Sequence, residues 1–342
     1  MRWRDSGIAL FRNGAGIGMT PQEEKIIAGW SEGSPEEILL TVAWRDDEPG
    51  RKIRAFCKTL LRLVPRIRVE EEEILDGALP EIRVRENMRW SAVPEAKELA
   101  PFLSALHSAE PLAQDLQPAI LDLLQRLEAP ASIRVYIAPQ CPFCPQTVLQ
   151  CLALADASDA CRVVVVDGAL FPEQAEKDEV RSAPTILLDQ ALRWSGSVKT
   201  EELVRMIVDR DPVHLSSESL EQMLHSGRAE DLAGMMLKRG EVFPGLFPLL
   251  LHTKWPVRLG AMVTFQHLVE TRPDLASQIA LSLWERFPGV DDSVKGDILF
   301  LLGESRDPSF LPLLHSVIEG PHPVEVKEAA KDAVENMMNQ RR

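Results

Sequence analysis

The stretch IRVYIAPQCPFCPQTVLQCLAL, which runs from Ile133 to Leu154, decides the fold of its part of the chain. Its first residues are apolar and β-branched, which predicts a buried strand. A proline-rich turn with Cys141 and Cys144 follows, and apolar residues then recur at helical spacing. This order places Cys141 just before the N-terminus of a helix, where free amides and the helix dipole favour a thiolate. The stretch therefore predicts a redox-active dithiol.

The length and composition bound the architecture and the class of protein. At about 150 residues per domain, 342 residues predict two or three domains. The 45% hydrophobic content is typical of a globular chain, and no apolar run is long enough to predict a membrane span. A net charge of −14 argues against nucleic-acid binding, since binding to phosphates needs clustered Lys and Arg.

The termini and the cysteine content indicate the compartment. The first 18 residues have no continuous apolar core and no cleavage site, so we expect a flexible leader over residues 1–19 and not a signal peptide. Five cysteines in 342 residues do not form the disulfide framework of a secreted protein. A cytoplasmic location is therefore the expectation, and in that compartment a Cys-x-x-Cys pair is catalytic or metal-binding more often than structural.

Two segments 104 positions apart share a pattern. LPEIRVRENMRW (79–90) and APTILLDQALRW (183–194) align Pro80 with Pro184 and end on the same Arg-Trp pair. A strand and helix pattern precedes each segment, and the second copy has an insertion at 171–180. The pattern predicts two tandem α/β units, one over 20–116 without a Cys pair and one over 117–213 with the CPFC site.

The remaining residues, 214–342, lack strand signals and predict an all-α region. Three stretches in it open alike, WPVRLGAM from Trp255, DSVKGDIL from Asp292 and HPVEVKEAA from His322. Their Val-Arg/Lys pairs recur at the period of a helix pair, so the region resembles HEAT repeats. An irregular helical bundle is the alternative.

The Cys pair is the strongest chemical signal. Cys141 is predicted to attack a substrate disulfide and Cys144, one turn into the helix, to resolve the mixed disulfide. Pro142 stiffens the turn, and Pro145 suits the first turn of a helix, where a missing N–H costs little. A zinc site or an inert pair are the alternatives. Zinc needs about four ligands, and no second Cys-x-x-Cys lies nearby, so we predict no metal.

Other reactive residue types have simpler interpretations. Cys57 and Cys151 fall on apolar helix faces and Cys161 at a strand start, where a free cysteine is usually a small buried hydrophobe. Asp167 ends a strand; we expect a solvated carboxylate there, and a proton relay is the alternative. Trp90 and Trp194 belong to the repeated Arg-Trp pair, so we expect both in the core or in the packing between the two units.

The CPFC turn followed by RSAPTILL resembles a thioredoxin fold. The tandem pattern is similar to the microbial protein disulfide oxidoreductases and to the N-terminal domain of the alkyl hydroperoxide reductase flavoprotein. The resemblance implies that Cys141 attacks and Cys144 resolves, and that Pro184 is a cis-proline beside which Ala183 offers its backbone to an extended substrate. The Pro142-Phe143 dipeptide is glutaredoxin-like. The glutaredoxin glutathione signature is absent after the proline strand, where residues 192–196 read LRWSG.

These patterns predict a thiol–disulfide oxidoreductase that acts on protein substrates, with the helical repeats recruiting the partner. The sequence has no G-x-G-x-x-G dinucleotide signature, so no bound cofactor is expected. A separate flavoprotein reductase or a peroxidase is the expected electron-transfer partner. We expect no binding to nucleic acid or to a membrane. The alternative is a redox-sensing scaffold, in which the repeats hold a partner and the Cys pair is a switch.

Overall fold

The structure is a computed structural model that describes residues 19–33, 37–74, 78–106 and 111–339. Apart from Met19, the predicted leader lies outside these residues. The contacts divide the chain into two units, Met1–Arg210 and Asp211–Arg342. The first unit is mixed α/β, and the described part of the second is helical.

The first unit contains one sheet. Its strands in the described residues are β1 (Ile38–Trp44), β2 (Ile67–Glu73), β3 (Glu81–Arg85), β4 (Met88–Ser91), β5 (Ala131–Ile137), β6 (Cys161–Asp167), β7 (Thr185–Leu188) and β8 (Leu192–Ser195). Their order across the sheet is β2-β1-β3-β4-β6-β5-β7-β8. The order β2-β1-β3-β4 of the first half thus returns as β6-β5-β7-β8 in the second.

Seven helices accompany this sheet in the described residues. They are α1 (Pro21–Gly33), α2 (Glu48–Leu63), α3 (Leu99–Leu106), α4 (Pro118–Gln125), α5 (Cys144–Ala157), α6 (Pro172–Lys177) and α7 (Thr200–Asp209). The α3 helix follows directly on a 3-10 turn, Ala96–Glu98. The α6 helix occupies the insertion that the sequence predicts at 171–180.

The two halves of the sheet join through β4 and β6. These strands are parallel, with Met88 opposite Val163 and Ser91 opposite Val166. Because β1, β4, β5 and β6 all run in one direction, their carboxyl ends lie at one edge of the sheet. The predicted units 20–116 and 117–213 therefore contribute to a continuous sheet.

Side chains of the first half reinforce this junction. Asn87, in the turn between β3 and β4, donates its amide to the carbonyl oxygens of Ala155 (2.7 Å) and Cys161 (3.1 Å). Trp90 is fully buried, as expected, and its ring meets that of Phe102 edge-on at 5.3 Å. The buried Asn87 amide thus keeps its hydrogen bonds, which favours one register for the junction.

The second unit carries eight helices in its described residues. They are α8 (Ser217–His225), α9 (Ala229–Arg239), α10 (Leu246–Leu250), α11 (Trp255–Thr271), α12 (Pro273–Trp284), α13 (Asp292–Glu304), α14 (Leu311–Glu319) and α15 (Val324–Asn339). The three similar stretches of sequence open α11, α13 and α15. No helix in the described ranges combines the length and the apolar character needed to cross a membrane.

Candidate active site: the Cys141–Cys144 pair

The cysteines lie in the loop that joins β5 to α5. The β5 strand ends at Ile137, and the Cys141 amide donates to the Ala138 carbonyl (3.0 Å), which closes a tight turn. The α5 helix then begins at Cys144, with Pro145 in its first turn. Pro145 has no N–H to leave unsatisfied, so its position agrees with the sequence argument.

The two cysteines form a disulfide, with Cα atoms 5.5 Å apart. The Cys144 amide also donates to Cys141 Sγ (3.1 Å), so the free end of the helix points at the first sulfur. When the bond is reduced, this amide and the helix dipole favour the thiolate form of Cys141. This is the arrangement that the order strand, Cys-x-x-Cys, helix predicts.

The two cysteines differ in their access to solvent. Cys141 is 9% exposed and Cys144 is fully buried. The dipeptide between them projects outward, and Phe143 is 64% exposed. A reactant can therefore approach Cys141 past the Pro142-Phe143 turn, whereas Cys144 is covered by protein.

Pro184 lies beside this loop. Because β7 pairs antiparallel to β5 with Thr185 opposite Tyr136, Pro184 flanks the end of β5. The Ala183–Pro184 peptide bond is cis, as the resemblance implied. The Pro184 carbonyl accepts the Gly196 amide (2.8 Å), but among the described residues no hydrogen bond reaches the Ala183 amide or carbonyl. Among the described residues, the Ala183 amide N–H and carbonyl oxygen therefore have no hydrogen-bond partner.

A hydrogen-bonded group holds the segment that leads to Pro184. The Tyr136 hydroxyl, on β5, donates to Asp178 at the end of α6 (2.5 Å), and Arg134 pairs with the same carboxylate (2.5 Å). Burial opposes ionisation of Asp178, but the hydrogen bond from Tyr136 and the charge of Arg134 lower its pKa. Burial and the bond to Asp178 raise the pKa of Tyr136. Tyr136 therefore stays a neutral donor.

A buried acid that the sequence did not reveal lies at the same edge of the sheet. Glu98 ends the 3-10 turn that packs against α5, and it is 4% exposed. Neither oxygen of its carboxyl group has a hydrogen-bond partner among the described residues. Burial, and secondarily the nearby Asp167, raise the pKa of Glu98 to about 7. The group can thus hold or release a proton near neutral pH.

Asp167 differs from the expectation. It pairs with Ile137 at the end of β5, four residues before Cys141, so it lies at the edge of the sheet that carries the disulfide. Its Oδ1 accepts the amides of Ala169 (2.8 Å) and Leu170 (3.2 Å). Burial raises its pKa, and these two amides oppose the rise. The carboxylate is half-buried and bonded to the turn after β6, so it is less solvated than the sequence predicts.

The remaining cysteines are buried, as predicted. Cys57, Cys151 and Cys161 are at most 2% exposed, and burial raises the pKa of each thiol to about 12. In the described ranges, no group of three or more His, Cys, Asp or Glu side chains could hold a metal ion.

Comparison with known proteins places this site in a familiar fold. Residues 131–209 match the family described as thioredoxin domain. The chain is 20% identical over 190 residues to a protein named NADH dehydrogenase from Ferdinandcohnia aciditolerans (52% of this chain, 36% of that protein). It is 21% identical over 178 residues to the F subunit of alkyl hydroperoxide reductase from Pseudomonas aeruginosa (51% and 34%). The chain thus spans about a third of the length of these relatives.

Among solved structures, a protein disulfide oxidoreductase from Aeropyrum pernix superposes with a TM-score of 0.51 at 16% identity, covering 59% of this chain and 97% of that one. At this identity the likeness concerns the fold alone. The chain therefore contains a thioredoxin-fold domain with a disulfide-bonded Cys-x-x-Cys pair, similar to those of protein disulfide oxidoreductases and of the F component of alkyl hydroperoxide reductase.

Proposed function

We propose that the protein is a thiol–disulfide oxidoreductase that exchanges electrons with protein substrates through Cys141 and Cys144. One observation carries the proposal: within a thioredoxin-fold domain, a disulfide at a helix N-terminus joins Cys141, which is 9% exposed, to Cys144, which is fully buried. Such asymmetry suits a pair in which one thiol meets the substrate and the other reacts only within the protein.

The reaction balances as a two-electron exchange. The Cys141 thiolate attacks one sulfur of a substrate disulfide, which forms a mixed disulfide and releases a substrate thiolate. The Cys144 thiol then loses its proton and attacks Cys141 Sγ, which releases the second substrate thiolate. The protein is left as the Cys141–Cys144 disulfide, the oxidised form seen in the structure, and the substrate has gained two electrons as two thiolates, one of which takes up the proton that Cys144 lost.

The second step needs a group that takes the Cys144 proton. Glu98 is our candidate, because its element packs on α5 and its pKa of about 7 lets it accept and return a proton. Asp167 lies close enough to raise that pKa, so its charge tunes the same group.

Substrate binding is assigned to the surface around Cys141. The unpaired Ala183 backbone, next to Pro184 at the end of β5, suits an extended substrate segment that adds to it by main-chain hydrogen bonds. The exposed Phe143 ring offers apolar contact to the same segment. Because such contacts read the backbone, the site suits protein disulfides in general.

The rest of the chain is assigned a supporting role. The repeated strand order supports two related units, 20–116 and 117–213, of which the first lacks a Cys pair. The helices that open on similar stretches support HEAT-like repeats over 214–342, which recruit the substrate. A separate flavoprotein reductase supplies electrons in the cytoplasm, and a peroxidase is one recipient; the names of the relatives motivate both partners.

Insulin reduction with dithiothreitol as the reductant tests the proposal. The wild-type chain should accelerate insulin precipitation, and Cys141→Ser should abolish the effect. Cys144→Ser should instead accumulate a mixed disulfide on Cys141, detected by mass spectrometry as a dithiothreitol-sensitive adduct. Wild-type protein that reduces no insulin and a Cys144→Ser variant that forms no adduct would contradict the proposal.

A redox-sensing scaffold is the second candidate. The observation that favours it is that Cys141 is only 9% exposed, because a largely buried cysteine suits a switch that reacts slowly. In that case the pair oxidises and reduces without catalytic turnover, and the helical unit binds its partner in one redox state. Partner capture that changes with the redox state, without insulin turnover, would identify the scaffold.

A further inference from the structure

Large apolar side chains are exposed on α11 and α13, two helices of the second unit that contact each other. Trp255 and Leu259, on α11, are 54% and 40% exposed, and Phe300, on α13, is 39% exposed. Val263, one turn after Leu259, is half-buried on the same line of α11. We call these four residues the α11–α13 face. Contiguous exposed apolar side chains of this size are uncommon on a chain that binds nothing.

A buried ion pair fixes the two helices of this face against each other. Arg258, on α11, is 2% exposed, and its guanidinium donates to Asp297 (2.5 Å) and Ser293 (2.8 Å) on α13. Exposed Leu259 directly follows Arg258, and exposed Phe300 lies three residues after Asp297. The face is therefore held in one arrangement before a partner arrives, which lowers the cost of binding.

The face also has room for a partner. Gly296 lies one turn before Phe300 on the exposed side of α13, and a Cβ added to it would meet no atom within 4 Å. The helix backbone is therefore open to approach at Gly296. A side chain of a partner can contact it there.

The charges around the face define the chemistry of the partner. Asp291 and Glu270 are exposed at its ends, whereas the cations Arg258 and Lys295 are already paired with carboxylates on α13. Exposed Lys254 precedes Trp255, but acidic side chains outnumber basic ones in this unit. A second copy of this chain would set acid against acid, because the net charge is −14.

We propose that the α11–α13 face binds an amphipathic helix of a partner protein, whose apolar stripe is flanked by Lys and Arg. The apolar stripe of the partner helix packs on Trp255, Leu259 and Phe300. Side chains four residues apart, such as Trp255 and Leu259, form a ridge on the helix surface, and this ridge fits into a groove between the side-chain ridges of the partner helix. The flanking cations meet the carboxylates around the face. The inference rests on the recruiting role proposed above and assigns it a surface.

Fluorescence anisotropy on the full chain tests the inference. The probe is a labelled synthetic Leu/Ala/Lys helix, about five turns long, with its leucines on one side. A Trp255→Ala/Phe300→Ala double variant should weaken binding about tenfold or more, because it removes two apolar anchors. Leu259→Lys is a second variant and should weaken binding similarly. Leu281→Ala is the matched control, because Leu281 is a 51% exposed leucine on α12, and it should bind as wild type does.

Three results would overturn the inference. The first is that both face variants bind the peptide as tightly as the wild type does. The second is that a matched peptide with Glu in place of Lys binds the wild type equally well. The third is that the wild type sediments as a dimer and the face variants do not. Insulin reduction by the same variants separates this inference from the redox function. Normal insulin turnover without peptide binding refutes the inference alone. Peptide binding that depends on the face supports it even if insulin is not reduced, in which case only the redox function fails.

Discussion

Glu98 offers a direct test of the electrostatics at the active site. Its pKa rises from an ordinary 4.5 to about 7, first because the carboxyl is buried and second because Asp167 is near. The stability that the neutral carboxyl confers is fully present below about pH 4.5, and it is lost as the pH rises through about 7. At about 1.4 kcal/mol per pKa unit, the loss approaches about 3 kcal/mol.

Replacement of Glu98 by Gln removes this ionisation. The amide gains no hydrogen-bond partner, so Glu98→Gln should match or fall below the wild type in free energy of unfolding at about pH 5. At about pH 8.5 the difference should move in favour of the variant by up to about 3 kcal/mol. Urea unfolding of the full chain at the two pH values, followed by tryptophan fluorescence, measures both differences.

A control and an activity measurement complete this test. Glu70→Gln changes an exposed carboxylate on β2, so it should leave the pH dependence of unfolding as it is in the wild type. Insulin turnover by Glu98→Gln should fall about tenfold or more and lose its inflection near pH 7, because the proton acceptor is gone. A stability difference that is equal at both pH values would refute the reasoning about burial.

Three further outcomes follow from buried contacts. Alkylation of the reduced native protein at about pH 8 should label Cys141 alone. Buried thiols should not react, because burial raises their pKa, in the case of Cys57 to about 12. Peptide mass spectrometry identifies the labelled positions. Asn87→Ala should lower the free energy of unfolding by about 2 kcal/mol in urea titrations, since two carbonyl oxygens at the junction of the sheet lose their donor. Arg258→Ala should cost about 3 kcal/mol in the same assay, because it leaves Asp297 without its cation, whereas exposed Lys254→Ala should change little.

The active-site loop was predictable because its signals are local. A strand, a proline-rich turn and a helix each follow from neighbouring residues, so the site of Cys141 and Cys144 could be assigned from the sequence. The β5 strand was expected from Ile133 to Ile137 and begins two residues earlier, at Ala131. Boundaries of this kind depend on pairing with β6 and β7, which the local pattern does not contain.

The burial of Glu98 could not be predicted, because it depends on residues that are distant in the sequence. Glu98 lies in the segment PEAKELA, which has the charged composition of an exposed helix start. In the fold, Ala96 adopts a positive φ of 51°, and the 3-10 turn brings Glu98 against α5, a helix that begins about 45 residues further along the chain. Burial by a distant element decides its pKa.

The amino-acid sequence by itself therefore determined where the Cys141–Cys144 pair lies and which local elements hold it, because a helix N-terminus and its preceding turn are built from adjacent residues. Only the tertiary structure decided that β4 pairs with β6 to make one sheet, that Cys144 is closed to solvent, and that the Glu98 carboxyl is buried with no hydrogen-bond partner among the described residues. These properties depend on contacts between residues far apart in the chain, and desolvation acts only once those contacts exist.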